Sequence, residues 1–179
     1  MRGSSSLQDI GTNEAKLEAA EPRLTTRNAM NVVGLEIRTT NAREADPATA
    51  KIPGLWQRVF AQQVPGRIPH ATNPGTLLAV YTRYENDHNG EYSLIVGSEV
   101  SALDGIPEDM TAVRPPAAKY LVFEARGPMP QAVIGAWSRI WDYFASHPAH
   151  RRAYTADFEL YEPRSQGPNP EVDIYIAIE

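Results

Sequence analysis

The side chains with the most chemistry in this chain are one glutamate and a set of tyrosines. Glu159 stands in FELYEP, two residues before Tyr161, while Tyr84, Tyr120 and Tyr175 lie on other apolar stretches. A carboxylate held among aromatic rings loses hydration, which disfavours its charged form unless a cation or a donor compensates. Tyrosine hydroxyls can donate to it, and ring faces attract cations through their quadrupole. A flat, lipophilic, weakly hydrated cation suits such a setting, gaining about 1–2 kcal/mol per well-placed ring in addition to the charge pairing. The same poised carboxylate could instead orient or deprotonate a water.

Other chemistries find less support. The chain has no cysteine, which removes disulfides, thiolate nucleophiles and Cys-based metal sites. Pro148 between His147 and His150 spoils a helical metal pair, and His70 and His88 fall in expected loops. No G-x-S-x-G, phosphate-cradling glycine loop or H-E-x-x-H occurs. No metal, cofactor or motif-based catalysis is therefore expected. A net charge of −5 argues against a phosphate-backbone binder, and the pair Arg151-Arg152 is too small to reverse that. No run has the length of a membrane span and the N-terminus lacks a signal-peptide core, so a soluble cytoplasmic protein without membrane contact is expected.

The elements that must position these residues are announced by a repeat. GLWQRVF from Gly54 returns as GAWSRIW from Gly135, and EYSLIVGSE from Glu91 returns as EVDIYIAIE from Glu171. Glu36-Ile37-Arg38 has a fainter counterpart in Glu124-Ala125-Arg126. Matches in the same order predict a duplicated module. Residues 1–27 are polar and read as a loose extension, with a helical turn in NEAKLEAAE. Module one (28–104) predicts a strand over 31–38, a helix opened by Ile52-Pro53 and ended by Pro65-Gly66, and strands over 76–85 and 91–99. Asn89-Gly90 is the turn signal between those strands, because such turns need positive φ. Module two (105–179) predicts a strand over 120–126, a helix over 130–146, and strands over 156–162 and 172–178. The fold class expected is α+β: tandem β-α-β-β modules forming one concave antiparallel sheet, with helices on one face and an open trough on the other.

Alternation then assigns faces. Val172, Ile174, Ile176 and Ile178 should meet the helices, leaving Asp173, Tyr175 and Ala177 on the open side. Phe158 and Leu160 are expected in the core, turning Glu159 and Tyr161 to the trough. Matching Tyr84 to Tyr161 adds Thr82 and Tyr84, and the strand over 120–126 adds Tyr120, Val122 and Glu124. Trp56, Trp137 and Trp141, at helical spacing among Ile and Phe neighbours, are expected in the core rather than at a ligand.

The run AVYTRYENDHNGEYSLIVGSEV, the W-x-x-I-W helix and FELYEP together resemble the GyrI-like effector-binding family. Its members sense ligands for multidrug-responsive and AraC-type regulators, and some stand alone on integron cassettes. The resemblance covers residues 30–179 and implies the same tandem fold. It also implies a ligand-meeting role for Glu159, with Tyr161 in the same motif and Tyr175 lining the pocket. Regulator members carry a DNA-binding domain, for which the residues before the first module leave no room. Three functions follow as expectations. The first is a binding protein for lipophilic cationic aromatic molecules, with Glu159 as counter-charge and Tyr161, Tyr175, Tyr84, Tyr120, Thr82 and Val122 around it. The second is a hydrolase of reactive electrophiles using the same glutamate. The third is a module that binds a regulator or a topoisomerase.

Overall fold

The structure is a computed structural model and describes residues 21–179. Eight strands form one antiparallel sheet: β1 (Arg23–Arg27), β2 (Asn31–Thr39), β3 (Leu77–Thr82), β4 (Tyr92–Val100), β5 (Thr111–Val113), β6 (Ala118–Arg126), β7 (Ala156–Tyr161) and β8 (Glu171–Ile178). Their order is β1-β6-β8-β7-β3-β4-β2-β5. Two helices pack on it, α2 (Ile52–Ala61) and α4 (Gln131–Ser146), accompanied by the single turns α1 (Asn41–Glu44) and α3 (Val64–Arg67). The α+β class and the antiparallel sheet are as expected.

The connections show that the sheet is strongly curled. β1 and β2 lie six strand spacings apart in the order, which would be about 29 Å across a flat sheet. Yet only Asn28, Ala29 and Met30 join them, a reach of about 14 Å. The same holds for β5 and β6, joined by residues 114–117. The two ends of the sheet must therefore bend toward each other. At the paired residues Gly34 and Gly97 the strands β2 and β4 come so close that a Cβ on Gly97 would lie 1.8 Å from the Val33 carbonyl oxygen.

The curl gives the molecule two cored faces. Outside, Leu55 and Val59 of α2 pack on Val33, Leu35, Leu94 and Val96. Val133, Ala136 and Ile140 of α4 pack on Leu121, Phe123, Ile174 and Ile176. Inside, Val32, Leu78, Val80, Tyr120, Val122, Phe158, Tyr175 and Ala177 form a third cluster without any helix. The expected trough is thus not open: its floor is buried by its own side chains as the sheet bends around them.

The local chemistry of α2 explains where it starts and stops. Its N-cap, Lys51, offers no side-chain cap. The Glu44 carboxylate of α1 instead accepts from the backbone N–H groups of Lys51 at 2.9 Å and Ile52 at 3.1 Å, placing negative charge at the positive end of the helix. The helix ends at Ala61, earlier than expected, because Gln63 adopts φ 49°. Pro65-Gly66 then sits inside the short turn α3 rather than ending α2.

Three further expectations are corrected. Residues 23–27, assigned to the loose extension, form an edge strand on β6, and the short β5 was not foreseen. The helical turn expected in NEAKLEAAE lies almost wholly outside the described residues. Gly90 is not among the positive-φ residues; its need is for space, since a Cβ there would meet Asn86 Oδ1 at 2.2 Å. Phe60, expected on the buried face of α2, is 65% exposed.

Candidate functional site

The two helix-covered cores meet over the central strands β3 and β7, and Glu159 stands at that seam. It is paired across the strands with Ala79 and is 2% exposed. Tyr81 donates to its Oε2 at 2.8 Å, the Trp137 Nε1–H to the same oxygen at 2.7 Å, and Tyr161 to its Oε1 at 2.7 Å. The donors come from β3, α4 and β7, so three elements converge on one carboxylate. Trp56 of α2 packs edge-on to Tyr161 with ring centroids 4.9 Å apart, and Tyr81 meets Trp137 at 5.0 Å.

Burial raises the Glu159 pKa above the ordinary carboxylate value, although the hydrogen bonds from Trp137, Tyr161 and Tyr81 each oppose the shift. Burial, reinforced by the adjacent Glu159 charge, likewise lifts the Tyr81 and Tyr161 hydroxyls well above the usual phenol range. They remain donors. The group is a buried carboxylate held by three neutral donors, without a cationic partner among the described residues.

Two residues earlier on the same side of β7 lies a second carboxylate, Asp157, which is fully buried. It does have a cation: Arg152 Nη2 donates to its Oδ2 at 2.8 Å, and Tyr84 donates to that oxygen at 2.5 Å. Its Oδ1 accepts from the Ala177 backbone N–H at 2.8 Å. The Arg152 guanidinium lies 4.5 Å from the ring centre of Tyr154 and 5.9 Å from that of Trp137. Burial disfavours its charge, but Asp157 and Tyr84 outweigh this and raise its pKa further.

The sequence-derived residues are divided between two faces. Glu159 and Tyr161 come together, on the helix side of the sheet rather than in the trough. Tyr120, Val122 and Tyr175 are where alternation put them, on the other face, but buried in the inner cluster with Phe158. Phe158 and Tyr175 stack at 4.4 Å, and burial pushes the Tyr120 hydroxyl up to about 12. Thr82 shares that inner parity and donates to the Thr155 carbonyl at 3.0 Å. Tyr84 lies beyond the end of β3, on Asp157. The phase of β7 was read backwards for a physical reason. Both sheet faces are apolar, so Phe158 and Leu160 mark a buried layer without telling which one.

Tyr81, Trp137, Trp56, Arg152 and Asp157 were missed. Trp137 is half-buried and its indole N–H reaches the carboxylate, while Trp141, also expected in the core, is 43% exposed. The available signal was the parity of Tyr81 in AVYT, which follows once β3 and β7 are known to pair. A separate cavity of about 420 Å³ opens at one end of the curl, bordered by Arg27, Asn28, Glu99 and Tyr175. No helix among the described residues is long and apolar enough to cross a membrane, and no His, Asp or Glu cluster among them could hold a metal ion.

With this geometry in place, the relatives become informative. The integron cassette protein VCH_CASS2 from the mobile metagenome of Vibrio cholerae is 33% identical, with 90% of this chain and 97% of that one aligned and a TM-score of 0.73. YobU of Bacillus subtilis is 33% identical over 147 residues, covering 81% of this chain and 89% of that protein. The structure of SAV2435 bound to tetraphenylphosphonium shares the fold, with a TM-score of 0.73 at 21% identity over 89% of this chain and 94% of that one. Residues 23–178, nearly everything described above, match the model of one family, and the chain belongs to it: Cass2, the integron-associated effector-binding proteins.

Proposed function

We propose that this protein binds a small lipophilic cation at Glu159, in the seam between α2 and α4. The observation that carries the reading is the carboxylate itself. A buried charge without a counter-ion is costly and is retained where it does work; here it is held by Tyr81, Trp137 and Tyr161, with Trp56 packed on Tyr161. An incoming cation supplies the missing charge, and the rings supply the quadrupole attraction that suits a weakly hydrated ion. Because the rings cover Glu159 almost completely, binding requires Trp137 or Tyr161, both half-buried, to swing aside. That SAV2435, of the same fold, is bound to the lipophilic cation tetraphenylphosphonium supports this reading. With three donors already holding its two oxygens, Glu159 is better placed to hold a charge than to abstract a proton.

The repeated β-α-β-β order, which in space runs outward from the central β3–β7 pair with matching neighbours on each side, we read as two copies of one module. On that reading the ligand sits where the copies join. Calorimetric titration of tetraphenylphosphonium into wild type and Glu159→Gln tests the proposal. Loss of the buried counter-charge is expected to weaken binding at least about 30-fold. Equal affinity in both proteins, with the variant folded by circular dichroism, overturns it.

A further inference from the structure

We infer that Arg152 is a built-in cation that makes the site selective for singly charged ligands; the inference rests on the reading of Glu159 as the ligand's counter-charge. Strand β7 offers two buried carboxylates to the helix side, Asp157 and Glu159. They are two residues apart, about 7 Å along the strand. Each stands beside aromatic rings. Asp157 has its cation supplied by the chain, with the Arg152 side chain only 5% exposed. The guanidinium sits 4.5 Å from the ring centre of Tyr154, 5.9 Å from that of Trp137 and 6.0 Å from that of Tyr84. Trp137 belongs to both positions, since its Nε1–H bonds Glu159 while its ring flanks Arg152. The arrangement at Asp157 is the occupied counterpart of the arrangement at Glu159.

A purely structural role would be served as well by an apolar pair of similar volume, which is often the more stable choice. Arg152 is also imperfectly satisfied, because its buried Nε–H has no acceptor among the described residues. The charge count is what a ligand experiences. With Glu159 ionised, two carboxylates and one guanidinium leave one negative charge, which one ligand cation balances. A second ligand charge would have to stand beside Asp157, whose charge Arg152 already balances, so it finds no net attraction there. Without Arg152, the bare Asp157 carboxylate at about 7 Å and an effective dielectric constant of about 20 would favour that second charge by a factor of about 50.

The test compares butyltriphenylphosphonium with butane-1,4-diylbis(triphenylphosphonium), which carry the same head group once and twice. The readout is the ratio of dication to monocation affinity by calorimetry. Arg152→Met is expected to raise the ratio at least tenfold, Arg152→Lys to leave it within about twofold, and Arg152→Met with Asp157→Asn to return it to the wild-type value. Asp157→Asn alone, which keeps the guanidinium and removes its partner, is expected to lower the ratio, and it tests the inference even if Arg152→Met does not fold. A ratio unchanged by Arg152→Met, or equally high in the double variant, shows that charge at Arg152 does not set selectivity and overturns the inference while leaving the role of Glu159 intact. Failure of the wild type to bind the monocation overturns the underlying reading and this inference with it.

Discussion

Glu159 holds its position through donors that do different jobs, and Trp137 separates them best. Its N–H bonds Oε2 at 2.7 Å and lowers the carboxylate's pKa against the upward push of burial. Replacing Trp137 with Phe keeps an aromatic wall and removes only the donor. The Glu159 pKa should then rise further, so that cation binding, which needs the carboxylate ionised, shifts its pH midpoint upward. Tetraphenylphosphonium affinity measured across pH checks this, and an unmoved midpoint means the indole N–H does not stabilise the charge. At this scale the sequence was partly legible. A glutamate flanked by Phe158 and Leu160 and followed by Tyr161 invited a role in binding, and Tyr161 does lie against it. Tyr175 and Tyr120 carried the same residue type but belong to the inner core, since a tyrosine packs equally well in either layer of a sheet buried on both faces. Arg152 and Asp157 carried no local sign, because their meeting depends on the loop after α4 returning to the start of β7.

Strand and helix identities were readable because periodicity and punctuation agreed. Pro53 opens α2, Pro148 lies beyond α4, and the apolar alternation of β8 picks its helix-facing side correctly. The short edge strands β1 and β5 were not, since five and three residues without a fully buried position leave no pattern to count. Within the curl, β2 and β4 approach each other closely at one glycine pair. Gly34 and Gly97 are paired across β2 and β4, and a Cβ on Gly97 would fall 2.6 Å from Gly34 Cα as well as 1.8 Å from a carbonyl oxygen. The obstacles are backbone atoms, which cannot turn away as a side chain would. Gly97→Ala should therefore cost about 3 kcal/mol or more, beyond the usual range for overpacking, and urea unfolding measures it. A loss below about 1 kcal/mol would mean that the two strands can part without undoing the curl.

Over the whole molecule, the proposed site lies at the seam between the two helix-packed cores, and its buried carboxylate ties stability to pH. The unfolded chain ionises Glu159 at an ordinary carboxylate pKa, whereas the native protein holds the proton to higher pH because burial outweighs three hydrogen bonds. Between those two values the native state binds more protons than the unfolded one, so native stability falls as pH rises through the window. It is fully present below the unfolded pKa and lost once the folded pKa is passed. Neighbouring groups do not mask this: the Tyr81 and Tyr161 hydroxyls are pushed far above the range, and Arg152 stays charged. Glu36, whose pKa moves down because Ser93 and Arg83 outweigh its partial burial, acts in the opposite sense but equally in wild type and variant. The Tm of Glu159→Gln should thus gain on that of wild type as pH rises from the acid side, then run parallel to it above the folded pKa. Under the proposed function, adding tetraphenylphosphonium should close the gap from the wild-type side, because a cation that pairs with the ionised form stabilises most the protein that has the carboxylate. Thermal melts of both proteins across pH, with and without the cation, test the two statements together. A gap that is independent of pH would place the cost of the site in packing rather than in the buried charge.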